Sequence, residues 1–109
     1  MAELPLGLLP HLVVAEPYAG EGGYDGATYG PKSTPVPCFR DGRVELTGDG
    51  QLVDPVTIYC QRQHAGKFAP QSRVTWTDDG GDVTAYVQVR QVRSDGGLGA
   101  WQHLEVVVR

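Results

Sequence analysis

Apolar residues recur along this chain with a period of two, in short runs separated by Gly, Pro and Asp. In DPVTIYC (54–60), Val56, Ile58 and Cys60 fall on one side and Thr57 and Tyr59 on the other, the spacing of a strand with one face against a core. DVTAYVQVRQVR (82–93) is the longest such run, with Val83, Ala85, Val87 and Val89 facing one way against Thr84, Tyr86, Gln88 and Arg90. HLVVAEP (11–17), RVTWT (73–77) and HLEVVVR (103–109) read as further strands, the last with Leu104, Val106 and Val108 inward. VPCFR (36–40) and RVEL (43–46) read as one interrupted strand with Asp41 and Gly42 as a turn or bulge. Asp78, Asp79, Gly80 and Gly81 join two of these runs as a hairpin. The polar stretches 61–72 and 94–102 are expected to be loops.

Gly and Pro interrupt the chain so often that no window carries a helical stripe. The pattern predicts an all-β fold, a small antiparallel β-barrel of about six strands with long loops, in a single domain over 1–109. Closure of the sheet also deals with exposed edges, a hazard for so valine-rich a sequence. Two segments stand apart from the long strand runs. The first, 18–35, lies in a Gly-rich stretch that holds three of the five tyrosines and is expected to be neither helix nor regular strand. The second, 41–51, carries turn residues at both ends and is expected to be a movable hairpin.

Length and charge narrow the classes. A chain of 109 residues buries roughly two-thirds of its unfolded surface, enough for one modest core. A net charge of −4 argues against a module that grips nucleic acid by neutralising phosphates. Seven Arg against two Lys point to a GC-rich coding genome. There is no basic leader pattern and no apolar run of spanning length, so the expectation is a soluble chain that is not exported, with no membrane partner.

Candidate chemistry is sparse. Cys38 and Cys60 share the alternation of their apolar neighbours and read as buried thiols, with a disulfide as the alternative. His11, His64 and His103 stand apart, without metal-ligand spacing, and read as structural. Asp78 and Asp79 are explained by the turn that follows them. No nucleophile elbow, P-loop or dinucleotide fingerprint occurs, so no catalytic residue, metal or cofactor is assigned. An enzyme using His103 or His11 with a carboxylate remains the least favoured reading.

The informative aromatics fall on predicted loops: Tyr18, Tyr24 and Tyr29 in the first, Phe68 in 61–72 and Trp101 near the end. Aromatics on a Gly-rich scaffold supply contact area with few torsions to freeze, so these five are the candidate partner interface. The alternative is a binding module in which Tyr24, Tyr29 and Trp101 converge on a ligand or peptide.

The order of pieces, PHLVVAEPYAGEGGYDGATYGP, then DPVTIYC, then PQSRVTWTDDGGDVTAYVQVRQVRSDGGLG and a closing QHLEVVVR, resembles the head-to-tail stopper proteins of long-tailed bacteriophages. The resemblance covers nearly the whole chain through generic motifs. It implies a structural protein of the virion neck, assembled in the bacterial host cytoplasm. Copies would form a homo-oligomeric ring beneath the portal and adaptor, close the DNA channel and dock the tail terminator or tail-tube protein; DNA would pass without sequence-specific binding. On this resemblance the segment from Asp41 to Gln51 is the candidate channel loop, with Asp41, Arg43, Glu45 and Asp49 on it, its acid-rich character letting DNA slide. The loop 18–35 would be an arm ordered only on assembly. Another connector, such as a tail terminator, is the alternative within this class.

Overall fold

The computed structural model describes residues 2–21, 26–78, 81–98 and 101–109. Among the described residues nine strands form in chain order: β1 (Ala2–Glu3), β2 (His11–Glu16), β3 (Tyr18–Glu21), β4 (Ala27–Tyr29), β5 (Val36–Asp41), β6 (Val56–Cys60), β7 (Arg73–Asp78), β8 (Gly81–Leu98) and β9 (Trp101–Val108). Six of them close an all-antiparallel barrel in the order β9-β6-β5-β2-β7-β8, with β8 returning to β9. β1 adds parallel to β9 at Ala2↔Trp101 and Glu3↔Gln102, extending the edge beyond the point where β6 stops pairing at Cys60↔Leu104.

The barrel closes because two strands change partners along their length. β2 pairs with β5 through His11, Leu12 and Val13 and with β7 through Val14, Ala15 and Glu16. β8 pairs with β7 up to Tyr86 and with β9 from Val87 onward, with a register shift between Val87 and Val89. A bulge of this kind bends a strand and resets which side chains point inward. Val83, Ala85 and Val87 are accordingly buried, whereas Val89, expected on the same inner face, is 55% exposed.

The interior is solid. Val13, Ala15, Val36, Cys38, Val56, Ile58, Cys60, Val74, Trp76, Leu104, Val106 and Val108 join Val83, Ala85 and Val87 to fill it from the six walls, as expected for a barrel of this size. Cys38 and Cys60 are directly opposed across β5 and β6 and are both free thiols. Burial pushes each of them up to about 12.

The stretch expected to be a plain loop after Cys60 is a 3-10 helix, Arg62–Phe68, whose last residue Phe68 is fully buried. At the other end of β6, the segment 42–55 returns from β5. RVEL does not form a strand: its one bridge is Leu46↔Leu52, and Leu52 is buried in the core with Val44 and Leu46 packed beside it. Gly42 makes this entry possible. Its φ is +139°, and a Cβ there would lie 3.3 Å from the Pro55 carbonyl oxygen and the Val56 Cα.

Two further expectations are corrected. Part of 18–35 is regular, since β3 and β4 form a small hairpin with Tyr18 opposite Tyr29. Part of 94–102 is strand, since β8 runs to Leu98, which pairs with Trp101 of β9. Of the helices in the described residues, none is long and apolar enough to cross a membrane.

Candidate functional site

The five candidate interface aromatics do not form one cluster. Tyr18 and Tyr29 meet edge-on at 6.1 Å, and Tyr29 lies 6.5 Å from Tyr86 on β8, centroid to centroid. The Arg73 guanidinium sits 4.4 Å over the Tyr29 ring and is held by Glu16 through two bonds, Nε to Oε1 at 3.2 Å and Nη2 to Oε2 at 2.7 Å. The hydrogen bonds from Arg73 hold the Glu16 carboxyl below its ordinary value of 4.5 against the opposing effect of burial. The same bonds raise Arg73. The Ser72 hydroxyl accepts from the Tyr18 amide at 2.9 Å, and Ser33 takes the Ala15 amide at 3.0 Å. The base of the opening segment is therefore docked on its own barrel, contrary to an arm ordered only by partners.

Tyr24 lies outside the described residues. Trp101 is placed in β9 by its backbone pairing, and its side chain is outside what is described. Phe68 is a core residue and not a contact surface, because the 3-10 helix turns it inward across the end of the barrel.

The channel-loop candidates are exposed: Asp41 at the end of β5, and Arg43, Glu45 and Asp49 on 42–55. The tip is a turn in which Thr47 donates to the Gln51 carbonyl at 2.8 Å and Gly50 to the Thr47 carbonyl at 2.9 Å. Leu52 anchors its base in the core, so the segment is a fixed cap with an acidic tip instead of a free hairpin.

Sequence reasoning missed two features. The first is a pair of exposed apolar patches. Leu12 of β2, Phe39 of β5 and the 3-10 turn Leu6–Leu8 carry one, with Leu8 and Phe39 lining a shared depression. Val89, on the outer face of β8 beside the partly buried Val107, marks the other; Val92, paired with Leu104, is exposed on the opposite face of the strand. β5 and β8 are three steps apart around the six-strand cycle in either direction, which places the patches on opposite walls. The signal was present for Phe39, an apolar residue out of phase with Val36 and Cys38.

The second is a breach in the barrel wall. The β2–β7 ladder ends at Val14↔Thr75; beyond it His11, Leu12 and Val13 pair with β5 alone, and Trp76, Thr77 and Asp78 with β8 alone. The two strands part around an open groove of roughly 670 Å³ whose lining includes Leu12, Val13, Lys32, Arg40, Trp76 and Asp82. Arg40 points inward from β5, its guanidinium 5.2 Å over the Trp76 ring, a cation–π contact. Its side chain is 15% exposed, and its nearest carboxylate oxygen, on Asp78, stands 4.0 Å from Nη1, beyond hydrogen-bond reach. Arg40 Nε, Arg40 Nη1 and Trp76 Nε1 are buried with no hydrogen-bond acceptor among the described residues. Each buried donor left in this way costs on the order of 1–3 kcal/mol.

Two further titratable pairs lie away from the groove. His103, fully buried, approaches Glu105 Oε1 at 3.0 Å, and Lys67 Nζ lies 2.9 Å from His64 Nδ1. Burial, then the Lys67 charge, pushes His64 below its ordinary value. Among the described residues no group of three or more His, Cys, Asp or Glu side chains could hold a metal ion. Comparisons of the chain with protein-family models, with curated proteins and with solved structures give no match.

Proposed function

We propose that this protein is a structural ring component of a phage neck, a head-to-tail stopper, in which each copy docks one wall of its barrel on the opposite wall of the next. The observation that carries this reading is the placement of two different apolar surfaces, Leu6, Leu8, Leu12 and Phe39 on one side and Val89 with its neighbour Val107 on the other. A head-to-tail interface that closes into a ring needs two distinct, complementary surfaces on each subunit, whereas a two-fold dimer needs only one. Exposed apolar patches of this kind commonly mark interaction surfaces.

The packed interior fits the same reading, since a barrel filled by its own side chains leaves the bore to lie between copies. The tip carrying Glu45 and Asp49 offers that bore an acidic lining, which repels the phosphate backbone and lets DNA slide. The portal and adaptor would meet one end of the ring and the tail terminator or tail tube the other, with the virion as the site of action and the host cytoplasm as the site of assembly.

The test is assembly. The purified chain, alone and with the portal and adaptor of the phage encoding it, is followed by native mass spectrometry and electron microscopy. Rings in the wild type, lost in Phe39→Lys and in Val89→Lys while both variants keep the wild-type circular dichroism, are the expected result. A wild type that stays monomeric with every neck protein present overturns the proposal.

A further inference from the structure

The breach between β2 and β7 is built like a vacant strand position, and of the residues assigned to the ring contact it shares only Leu12. We propose that it is a binding site for an extended, carboxylate-bearing peptide segment of another protein chain, which adds to the open edges of β2 and β7 and brings acceptors to Arg40 and Trp76.

Three observations converge on this occupant. In an antiparallel strand, successive residues direct their backbone groups to alternate sides. Of Leu12 and Val13 on β2, and of Trp76 and Thr77 on β7, one each therefore presents its amide and carbonyl away from the paired neighbour and toward the breach. The three unpaired positions on each side make about 10 Å of edge at roughly 3.3 Å per residue, the length of a short strand. Main-chain pairing at such an edge is how extended peptides are captured.

The side chains specify what the peptide must carry. Every orphaned polar atom at the groove is a donor: Arg40 Nε, Arg40 Nη1 and Trp76 Nε1. Trp76 is 5% exposed and lines the groove. Lys32 adds a second cation to the lining. Of the acidic side chains nearby, Asp82 accepts from the Thr77 hydroxyl at 3.0 Å, and Asp78 stands 4.0 Å from Arg40 Nη1 without a hydrogen bond to it. A ligand offering only donors gains nothing here, whereas a carboxylate accepts from both Arg40 and the indole. Apolar residues at the same groove, Leu12, Val13 and Val83, suit the alternate side chains of a strand. The volume of roughly 670 Å³ lies within the range of about 300–1,000 Å³ of ligand clefts.

The experiment is a titration of the full, ¹⁵N-labelled chain with a blocked heptapeptide of alternating Val and Thr around a central Asp. The same peptide with a central Asn, and acetate alone, serve as the other arms. The Trp76 indole signal is assigned by its loss in Trp76→Phe. Expected are a saturable shift of that signal together with the amides of Leu12, Val13 and Thr77, affinity at least tenfold weaker for the Asn peptide, and a similar loss for Arg40→Gln. Should Arg40→Gln not fold, Trp76→Phe carries the test through a weakened response of the Leu12 and Val13 amides. Absence of saturable shifts, or equal affinity of the Asp and Asn peptides, overturns the proposal. So does acetate reproducing the indole shift with the strand-edge amides unmoved, which marks a site for small anions. Ring formation is not among the readouts, so either result leaves the proposed function standing or falling on its own test.

Discussion

Two walls of one barrel behave differently. Across β5, β6 and β9 the ladder is unbroken, from Cys38↔Cys60 to Asp41↔Thr57 on one side and from Val56↔Val108 to Cys60↔Leu104 on the other. Its outer face carries a row of rings, Phe39, Tyr59 and His103, spaced at 6.5 and 5.8 Å. The N-terminal segment is tied beside this row, where Leu4 donates to the Gln102 carbonyl at 2.9 Å and accepts from Gln61 at 2.9 Å. Across β2 and β7 the ladder lasts three residues and then opens. There Arg40 Nε and Nη1 and the Trp76 indole N–H have no acceptor among the described residues. The difference teaches that the same period-two alternation yields a sealed wall where both neighbours persist along a strand, and a breach where one strand divides itself between two partners.

The comparison can be broken or sharpened in four ways. The largest effect is chemical. With both thiols of the sealed wall pushed from 9.0 to about 12, the thiolate fraction near neutral pH falls about a thousandfold. Alkylation of Cys38 and Cys60 by iodoacetamide, followed by mass spectrometry, should therefore proceed only through unfolding; rapid native labelling would mean that this wall opens.

Next in size is Ile58→Ala, which removes a fully buried side chain from the middle of that wall. It should cost about 2–5 kcal/mol in denaturant unfolding. A loss under about 1 kcal/mol would show that the wall is not the tightly packed side.

At the short β2–β7 ladder, Glu16→Gln should cost about 1–3 kcal/mol, because it weakens the charged double bond to Arg73. The pH dependence has a definite sign. Glu16 titrates lower in the folded chain than in the unfolded one, so its contribution is complete above the unfolded value of 4.5. It is lost as pH falls through the folded value. Stability measured from about pH 6 to about pH 3 should fall more steeply in the wild type than in Glu16→Gln, and parallel curves would remove the pair from the account.

The smallest effect is expected at the turn leading into β7. Ser72 donates to the Ala69 carbonyl at 3.0 Å across Pro70 and Gln71, and Gln71 holds φ at +74°, the position of a type II turn that favours glycine. Gln71→Gly should gain about 1 kcal/mol by relieving that conformation, read as a raised unfolding midpoint. A loss would indicate that the Gln71 side chain itself holds the turn.

Much of the fold was legible because strand periodicity survives in single residues. Val56, Ile58 and Cys60, and Leu104, Val106 and Val108, are all buried as their spacing requires. The alternation failed at Val89, where a bulge and a change of partner reversed the facing without any mark in the local pattern. Phe68 was misread because a polar, Gly-containing stretch hid a 3-10 helix that turns its one large apolar residue inward. The apolar patches were half legible, since Phe39 stands out of phase in its own strand. Arg40 and Trp76 were not legible as a pair: they are far apart in sequence and meet only where β5 and β7 face each other across the interior.

By itself the sequence determined the strand content, the inner faces of β6 and β9 and the scarcity of catalytic motifs, because these follow from near-neighbour alternation and residue chemistry. The tertiary structure alone decided which strand changes partner, where the wall stays open and which polar groups are stranded inside it. Those outcomes depend on how six twisted strands close into one barrel, and closure is a property of all six together that no local stretch encodes.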